Sequence, residues 1–192
     1  GAFGLVAVLA GGWPILAIGV ASIVAGWGYS AGPRPISGTP LGEVFVAVFF
    51  GVLAVVGTVW LAAGRSGWDV ALLGLGIGLP AAAVLTVNNH RDRVQDAISG
   101  RSTLAIRIGA ARTIQLYGAQ MIAASLLVAA ALWPYTRPGA ALIGATALIG
   151  AWMTRRLAAT PIGLEASRRL AETAQFQMAL AALAAILLVI RP

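Results

Sequence analysis

Asn88, Asp92 and Asp96 recur at four-residue intervals in the run NNHRDRVQD, residues 88–96. On a helix this spacing stacks the three side chains along one face. Two carboxylates one turn apart repel each other and slightly destabilise a bare helix. A divalent cation reverses the sign of that interaction. Mg²⁺ is commonly held by one or two carboxylates while substrate phosphate oxygens complete its shell. Arg91, Arg93, Arg101, Arg107 and Arg112 surround the two acids. Guanidinium groups suit bidentate contacts with phosphate. The chemistry implied is capture of a diphosphate between Mg²⁺ and arginine.

The rest of the chain says what carries that diphosphate. Of its 192 residues 59% are hydrophobic and 10% charged, with a mean hydropathy of +0.89. Soluble domains sit near roughly 45–50% apolar and about 25% charged. The chain therefore reads as an integral membrane protein, and the diphosphate as that of a lipid. There is no cysteine, which excludes disulfides, thiolate metal sites and cysteine nucleophiles. The lone His90 cannot build a zinc site, which takes three or four ligands. The net charge of +7 comes from arginine alone, with no lysine. In a soluble protein such a charge would point to nucleic acid. Here the arginines fall between apolar spans, where the positive-inside rule accounts for them, and nucleic acid is not an expected partner.

Apolar segments of near-bilayer length run over 13–29, 43–62, 69–89, 113–133 and 139–156, with a sixth over 170–190. Lipid offers the backbone no hydrogen bonds, so these segments are expected to be helices. The expected fold is all-α, a multi-span transmembrane helix bundle with about six whole spans, in a single domain over 1–192. Residues 1–10 are apolar but too short to span, and no basic segment precedes them as in a signal peptide. They read as the tail of a helix whose beginning is missing, so the domain is expected to be N-terminally incomplete. Trp13, Trp27, Trp60, Trp68, Trp133 and Trp152 fall near span ends, where amphipathic rings prefer to sit. The loops alternate in charge. One side carries Arg34, Arg91, Arg93, Arg101, Arg107, Arg112, Arg155, Arg156, Arg168 and Arg169; the other carries Arg65, Arg137 and Arg191. The first side, with Asp92 and Asp96, is expected to be cytoplasmic, in the cell inner (plasma) membrane, and the C-terminus to face outward.

Other residues can join the acids. Asn88 and Asn89 end an apolar span, where amides are costly unless paired or coordinating; the alternative is a helix end running into a solvated loop. Arg101 and Arg107 flank a segment, 101–109, that reads as a short helix or cap at the membrane surface. They can bind phosphate or serve only as positive-inside charges. In the loop 27–35, prolines fix Arg34, which can point back at an anion, and Tyr29 can hydrogen-bond one; read alone, the segment is first of all a loop. Phe49, Phe50, Gly51 and Thr58 can line an apolar tunnel or face lipid. Glu43 reads as a charge placed to favour a helix N-terminus. Gly74, Gly76, Gly78, Gly139, Gly144 and Gly150 read as close-packing positions, and Pro80 as a kink.

The run NNHRDRVQDAISGRSTLAIRIGAARTIQLY resembles the second aspartate-rich motif of the UbiA superfamily of membrane prenyltransferases. The form NNxRDxxxD, then GxxTLAxRxG and a nearby Tyr117, is similar to the branch that prenylates 1,4-dihydroxy-2-naphthoate in menaquinone biosynthesis. The stretches YSAGPRPISGTPLGEVFVAVFFGVLAVVGT and LAETAQFQMALAALAAILLVI agree, so the resemblance covers nearly the whole chain. It implies a nine-helix bundle with two aspartate-rich motifs facing each other across a central cavity. The first, of NDxxDxxxD type, is not in this chain, whose remaining acids are Glu43, Asp69, Glu165 and Glu172. The resemblance implies Asp92 and Asp96 as catalytic acids and, with Asn88, as Mg²⁺ ligands. It places Asn88, Asn89, Arg91, Tyr29, Arg34, Arg101 and Arg107 around the diphosphate. The implied reaction is Mg²⁺-assisted loss of diphosphate from a polyprenyl diphosphate. The naphthoate ring attacks the allylic cation, and its carboxylate leaves as CO₂. Without the first motif, residues 1–192 alone are expected to be inactive.

Three alternatives stand beside this one. A relative in the same family can act on another aromatic acceptor, such as 4-hydroxybenzoate, haem or a chlorophyll precursor; NNxRD and GPRP argue for the naphthoate branch. A transporter would show inverted repeats and broken helices, and no convincing repeat is found. A non-catalytic membrane fragment is the third.

Overall fold

The structure is a computed structural model that describes residues 2–161 and 164–190. Helix α1 (Ala2–Gly11) leads into α2 (Trp13–Ser30) through Gly12, whose φ of 69° breaks the helix. Pro14 sits in the first turn of α2, where a missing N–H costs nothing. A 3₁₀ turn (Ile36–Gly38) precedes α3 (Gly42–Ala47), a π-helical turn (Val48–Leu53) and α4 (Ala54–Ala63). These last three form one apolar stretch, Gly42–Ala63. Then come α5 (Trp68–Ile98), α6 (Leu104–Leu132), α7 (Arg137–Ala145), α8 (Ala147–Ala158) and α9 (Leu164–Val189). No strand occurs among the described residues.

Five stretches are long and apolar enough to cross a membrane: Trp13–Ser30, Gly42–Ala63, Trp68–Ile98, Leu104–Leu132 and Glu165–Val189. The multi-span helical bundle expected from hydropathy is what forms. The expected span 139–156 is made of two shorter helices, α7 and α8. They meet at Thr146, whose N–H bonds Ile143 O at 3.0 Å in a tightened turn. Helix α5 also outruns its expected limit of residue 89. Its 31 residues, at about 1.5 Å each, reach roughly 46 Å, against a hydrocarbon core of about 30 Å. The last turns, carrying Asp92 and Asp96, thus extend past the apolar slab while staying helical.

Helix α5 is the central post. Its inner face joins α6, α7, α8 and α9 in a core that includes Val87, Tyr117, Met121, Val128, Leu132, Ile143, Leu157 and Leu180. Glycine sets how closely it is approached, by the π-helical turn on the other side and by α6 on the inner face. A Cβ on Gly51, in the π-helical turn, would lie 2.5 Å from Gly74 O and 2.5 Å from Gly78 Cα. One on Gly76 would meet Val128 Cγ2 at 2.6 Å. These are backbone-to-backbone seams, as expected of small residues between membrane helices. Gly150 packs likewise on Met121, whereas Gly144 has only Ala129 Cβ within reach, at 3.8 Å.

The loops fall into two groups. At one end Trp60 Nε1 donates to Gly11 O at 2.8 Å, and Arg65 and Tyr135 both reach Asp69, at 3.1 and 2.8 Å. At the other end Ser102 N donates to Gly38 O at 2.8 Å and Arg91 to Ser167 Oγ at 3.2 Å. The second end carries Arg34, the arginines of 91–112, Arg155, Arg156, Arg168 and Arg169, and the first carries Arg65 and Arg137, so the charge split coincides with the two ends of the bundle for all but Arg191, which lies outside the described residues. Ser66 and Ser99 lie just beyond opposite ends of α5 and both are exposed. With no cysteine among residues 1–192, cysteines placed singly at Ser66 and Ser99 should react with an impermeant maleimide from opposite sides of the membrane. Labelling of both from one side would contradict this topology.

Candidate functional site

The polar head of α5 is shaped by how the helix stops. Gly100 takes φ 78°, Gly100 N–H reaches Ala97 O at 3.2 Å and Arg101 N–H reaches Asp96 O at 3.0 Å. These are the paired bonds of a Schellman ending, which needs a residue tolerant of left-handed backbone. The reversal returns the Arg101 side chain over the helix it has just left. Its Nη1 donates to Asp96 Oδ1 at 3.1 Å and its Nη2 to Ser37 O at 2.7 Å. Together with Ser102 N–H on Gly38 O, this ties the 3₁₀ turn after α2 to the α5–α6 hairpin. The segment expected as a surface cap follows: Leu104–Ile108 is a short helical piece. It ends at Gly109, whose φ of 77° and ψ of 173° belong to a region essentially reserved for glycine.

Asn88, Asp92 and Asp96 share one face of α5, as their spacing requires. The arginines have neutralised the acids. Arg91 grips Asp92 with both ends of its fork, Nε to Oδ1 and Nη2 to Oδ2, each at 2.7 Å. The same guanidinium donates to Asn88 Oδ1 at 2.8 Å and to Ser167 Oγ on α9. Asp96 is 7% exposed, and its Oδ2 is buried without a partner. Asn89 turns the other way, its Nδ2 donating to Glu43 Oε1 at 2.9 Å.

Glu43 is the residue that sequence reasoning missed. Read as a dipole charge at a helix start, it is instead 3% exposed and bonded by Asn89, with Oε2 buried and unpartnered. The available signal was an acid inside a segment otherwise apolar enough to span. Tyr29 stands beside it, within electrostatic reach of Glu43 and Arg101. Its ring stacks on Phe45 at 5.0 Å, and Phe45 on Phe49 at 4.4 Å. Below this aromatic ladder lies an apolar cavity of about 590 Å³, lined by Tyr29, Phe45, Val46, Phe50, Val84 and Gln177 among others. Phe50 thus faces the cavity, while Gly51 packs on α5 and Thr58 Oγ1 is spent on Ala54 O at 2.8 Å. Gln177 Nε2 reaches Ile77 O at 3.4 Å, next to the carbonyl of Gly76 that Pro80 leaves without its usual donor.

Arg34 is exposed and lines a second cavity, of about 600 Å³, with Ser30, Ser37, Thr39 and Arg101. Arg107 is exposed and bonds Ser102 Oγ at 3.0 Å. Tyr29, Asn88, Asn89, Arg91, Asp92, Asp96, Arg34 and Arg101 therefore gather at one end of the bundle, with Arg107 at its rim. The donors suit Mg²⁺. Asp92, Asp96 and Asn88 offer hard oxygens on one face, and the unpartnered Asp96 Oδ2 is a free coordination point. No group of three or more His, Asp or Glu is assembled among the described residues. A cation here would thus need oxygens from a ligand, as is usual when Mg²⁺ accompanies phosphate.

The apolar cavity shares Ser30 with the cavity that Arg34 and Arg101 line, and the helices around them are long and apolar enough to make a multi-span membrane protein. The model of the UbiA prenyltransferase family matches residues 1–181; the chain belongs to that family. It is 36% identical over 162 residues to a 1,4-dihydroxy-2-naphthoate octaprenyltransferase of Mycobacterium leprae, covering 84% of this chain and 50% of that protein. Proteins of the same name from Haemophilus influenzae and Mycobacterium tuberculosis are 44% and 37% identical, over 48% and 64% of this chain and 30% and 42% of theirs. The chain thus spans about half or less of the length of these relatives. No solved structure matches.

Among the described residues, Arg101 is the one side chain that bonds both Asp96 and the 3₁₀ turn. A lysine there offers a point charge rather than a fork and cannot keep both contacts. Arg101→Lys should loosen residues 31–41, with faster backbone hydrogen exchange there and little change in α6. Unchanged exchange would show that Ser102–Gly38 suffices to dock the turn.

Proposed function

We propose that the whole protein carrying this chain transfers a polyprenyl group from polyprenyl diphosphate to 1,4-dihydroxy-2-naphthoate, releasing diphosphate and CO₂, in menaquinone biosynthesis. The observation that carries this reading is the acid–arginine head of α5 at the same end of the bundle as Tyr29 and Ser30, which line an apolar cavity. Family membership and the names of the relatives support the reaction class and acceptor. The prenyl chain would lie in the cavity between Phe50, Val84 and Gln177, and the diphosphate at the head. Arg91, Arg101 and Arg34, with Tyr29, would bind its oxygens through charge-assisted hydrogen bonds. Asp92, Asp96 and Asn88 would hold Mg²⁺, which when bound neutralises charge on the leaving group. Asn89 is held by Glu43, turned away from the face that Asn88, Asp92 and Asp96 share. The apolar wall excludes water from the developing allylic cation. The head of α5 would face the cytoplasm of the cell inner (plasma) membrane, by the arginine asymmetry. The whole protein forms one prenyltransferase domain in this reading.

Asp92→Asn and Asp96→Asn in the whole protein should each lower prenyl transfer by at least about 10²-fold, the scale of losing one electrostatic contact to a developing charge. Chelating Mg²⁺ should abolish transfer, and restoring it should recover the wild type. An Asp→Asn protein that keeps wild-type turnover sinks the assignment.

Residues 1–192 expressed alone should be inactive. One acidic motif leaves the far side of the diphosphate without a facing carboxylate-bound metal, and the loss should exceed a single-contact deletion. The measurement is product formation in detergent with Mg²⁺, farnesyl diphosphate and dihydroxynaphthoate. Turnover near that of the whole protein would show that one motif suffices.

A further inference from the structure

We propose that Glu43 is the proton carrier for the aromatic acceptor, a role separate from the diphosphate machinery; this rests on the function proposed above. The observation is a carboxylate 3% exposed at the head of an apolar span, with one neutral hydrogen bond, from Asn89. Its Oε2 is buried and unpartnered, and it has no ion-pair partner among the described residues. A buried acid kept only for stability is normally paired, because an unpaired charge in apolar surroundings is costly. Inside a membrane protein such a residue marks a functional site.

Its place in the fold fits an acceptor rather than a metal. Glu43, Val46 and Phe50 follow one another at steps of three and four residues, and Val46 and Phe50 line the apolar cavity. Glu43 is thus at the head of the cavity-facing stripe of α3 and the π-helical turn. With Asp92 and Asp96 it forms no three-carboxylate cluster. The charged and titratable neighbours are few. Tyr29 faces it from α2, Arg101 of the hairpin lies within electrostatic reach of Tyr29, and α5 presents the neutral Asn89.

The chemistry needs such a group. In the acceptor, a hydroxyl sits beside the carbon that bears the carboxylate. As that carbon forms its bond to the first prenyl carbon, the bond from prenyl carbon to diphosphate oxygen breaks. The hydroxyl proton passes to Glu43 Oε2, and the oxygen becomes a ketone. The intermediate is a β-keto carboxylate. Its bond to the carboxylate carbon breaks, CO₂ departs, and the electron pair makes the enolate. Glu43 returns the proton to the enolate oxygen, restoring the aromatic hydroxyl. No oxidant, reductant or net proton is consumed.

The test is Glu43→Gln in the whole protein in membranes, compared with wild type at several pH values. Glutamine keeps the volume and an oxygen for Asn89 but cannot carry the proton. Wild-type transfer to dihydroxynaphthoate is the control for the function itself; the role of Glu43 is judged on the ratio of variant to wild type. The expected result is a fall in turnover of about 10²–10⁴-fold, the usual range for general acid–base catalysis. Farnesyl diphosphate binding, measured with Mg²⁺, should stay within about twofold of wild type. The deficit should narrow as pH rises, because the acceptor then arrives already ionised. Glu43→Asp, judged in the same way, should retain measurable turnover and a pH-dependence like that of wild type, which gives a second reading if the glutamine protein misfolds. Wild-type turnover in Glu43→Gln overturns the proposal. So does parallel loss of farnesyl diphosphate binding, or a deficit that does not change with pH; these would make Glu43 a support for the NN pair.

Discussion

A carboxylate at the rim of a hydrocarbon slab must find a counter-charge or a donor, and the head of the bundle is arranged around that demand. Helix α5 carries two acids past the apolar core, and each is met by a guanidinium from a different source. Arg91 comes from the preceding residue of the same helix, and Arg101 from the chain reversal that ends it. Neither partner is at the spacing that pairs charges along a helix surface. The first reaches Asp92 with a long side chain that also ties α9 through Ser167. The second exists because Gly100 can take φ 78°. The hairpin, the 3₁₀ turn and the start of α9 thus all meet at charges that one helix brings to the surface.

What lets Glu43 join that head is a packing constraint deeper in the membrane. The π-helical turn Val48–Leu53 lies against α5 with Gly51 between Gly74 and Gly78. A methyl group on any of the three would sit within repulsive distance of backbone, and overpacking of this kind typically costs about 1–3 kcal/mol. The close seam brings the start of α3 against the last buried turn of α5, where Asn89 meets Glu43. The wider helical turn inserts an extra residue per turn, so that Phe49 stays stacked on Phe45 while Phe50 turns to the cavity. Small residues in mid-membrane therefore govern a polar contact at the boundary.

The bundle could be read from hydropathy because lipid leaves the backbone little choice: the spans at 13–29, 43–62 and 113–133 appear close to where apolar runs place them. The limits of α5 were harder to see, since its last turns are polar and hold their helix through local ends and tertiary partners. The break at Thr146 carries no proline or charge to announce it. The face shared by Asn88, Asp92 and Asp96 follows from helical periodicity alone. Which way Asn89 points does not, because it depends on a residue 46 positions away. Glu43 was misjudged for the same reason. An acid at a helix start has a sufficient local explanation, and only the tertiary approach of α3 to α5 shows that it is buried.

The contrast between these acids is one of cost. The side chains of Asp92 and Arg91 remain 36% and 27% exposed, and Arg101 is 41% exposed. The half-solvated Arg91–Asp92 pair contributes on the order of 0–1 kcal/mol, so Arg91 screens Asp92 without locking it, whereas the Asp96 side chain is only 10% exposed and keeps Oδ2 buried and unpartnered. A half-solvated pair such as Arg91–Asp92 is exchangeable at little cost. Glu43 has no such exchangeable partner and no water to share. Its single amide donor leaves one oxygen unmatched, and an unmet buried acceptor costs about 1–3 kcal/mol, more when charged. The bundle therefore carries two classes of acid at one end. Asp92 at the boundary is held by a half-solvated counter-charge, whereas Asp96 and Glu43 are buried and each keeps one oxygen unpartnered.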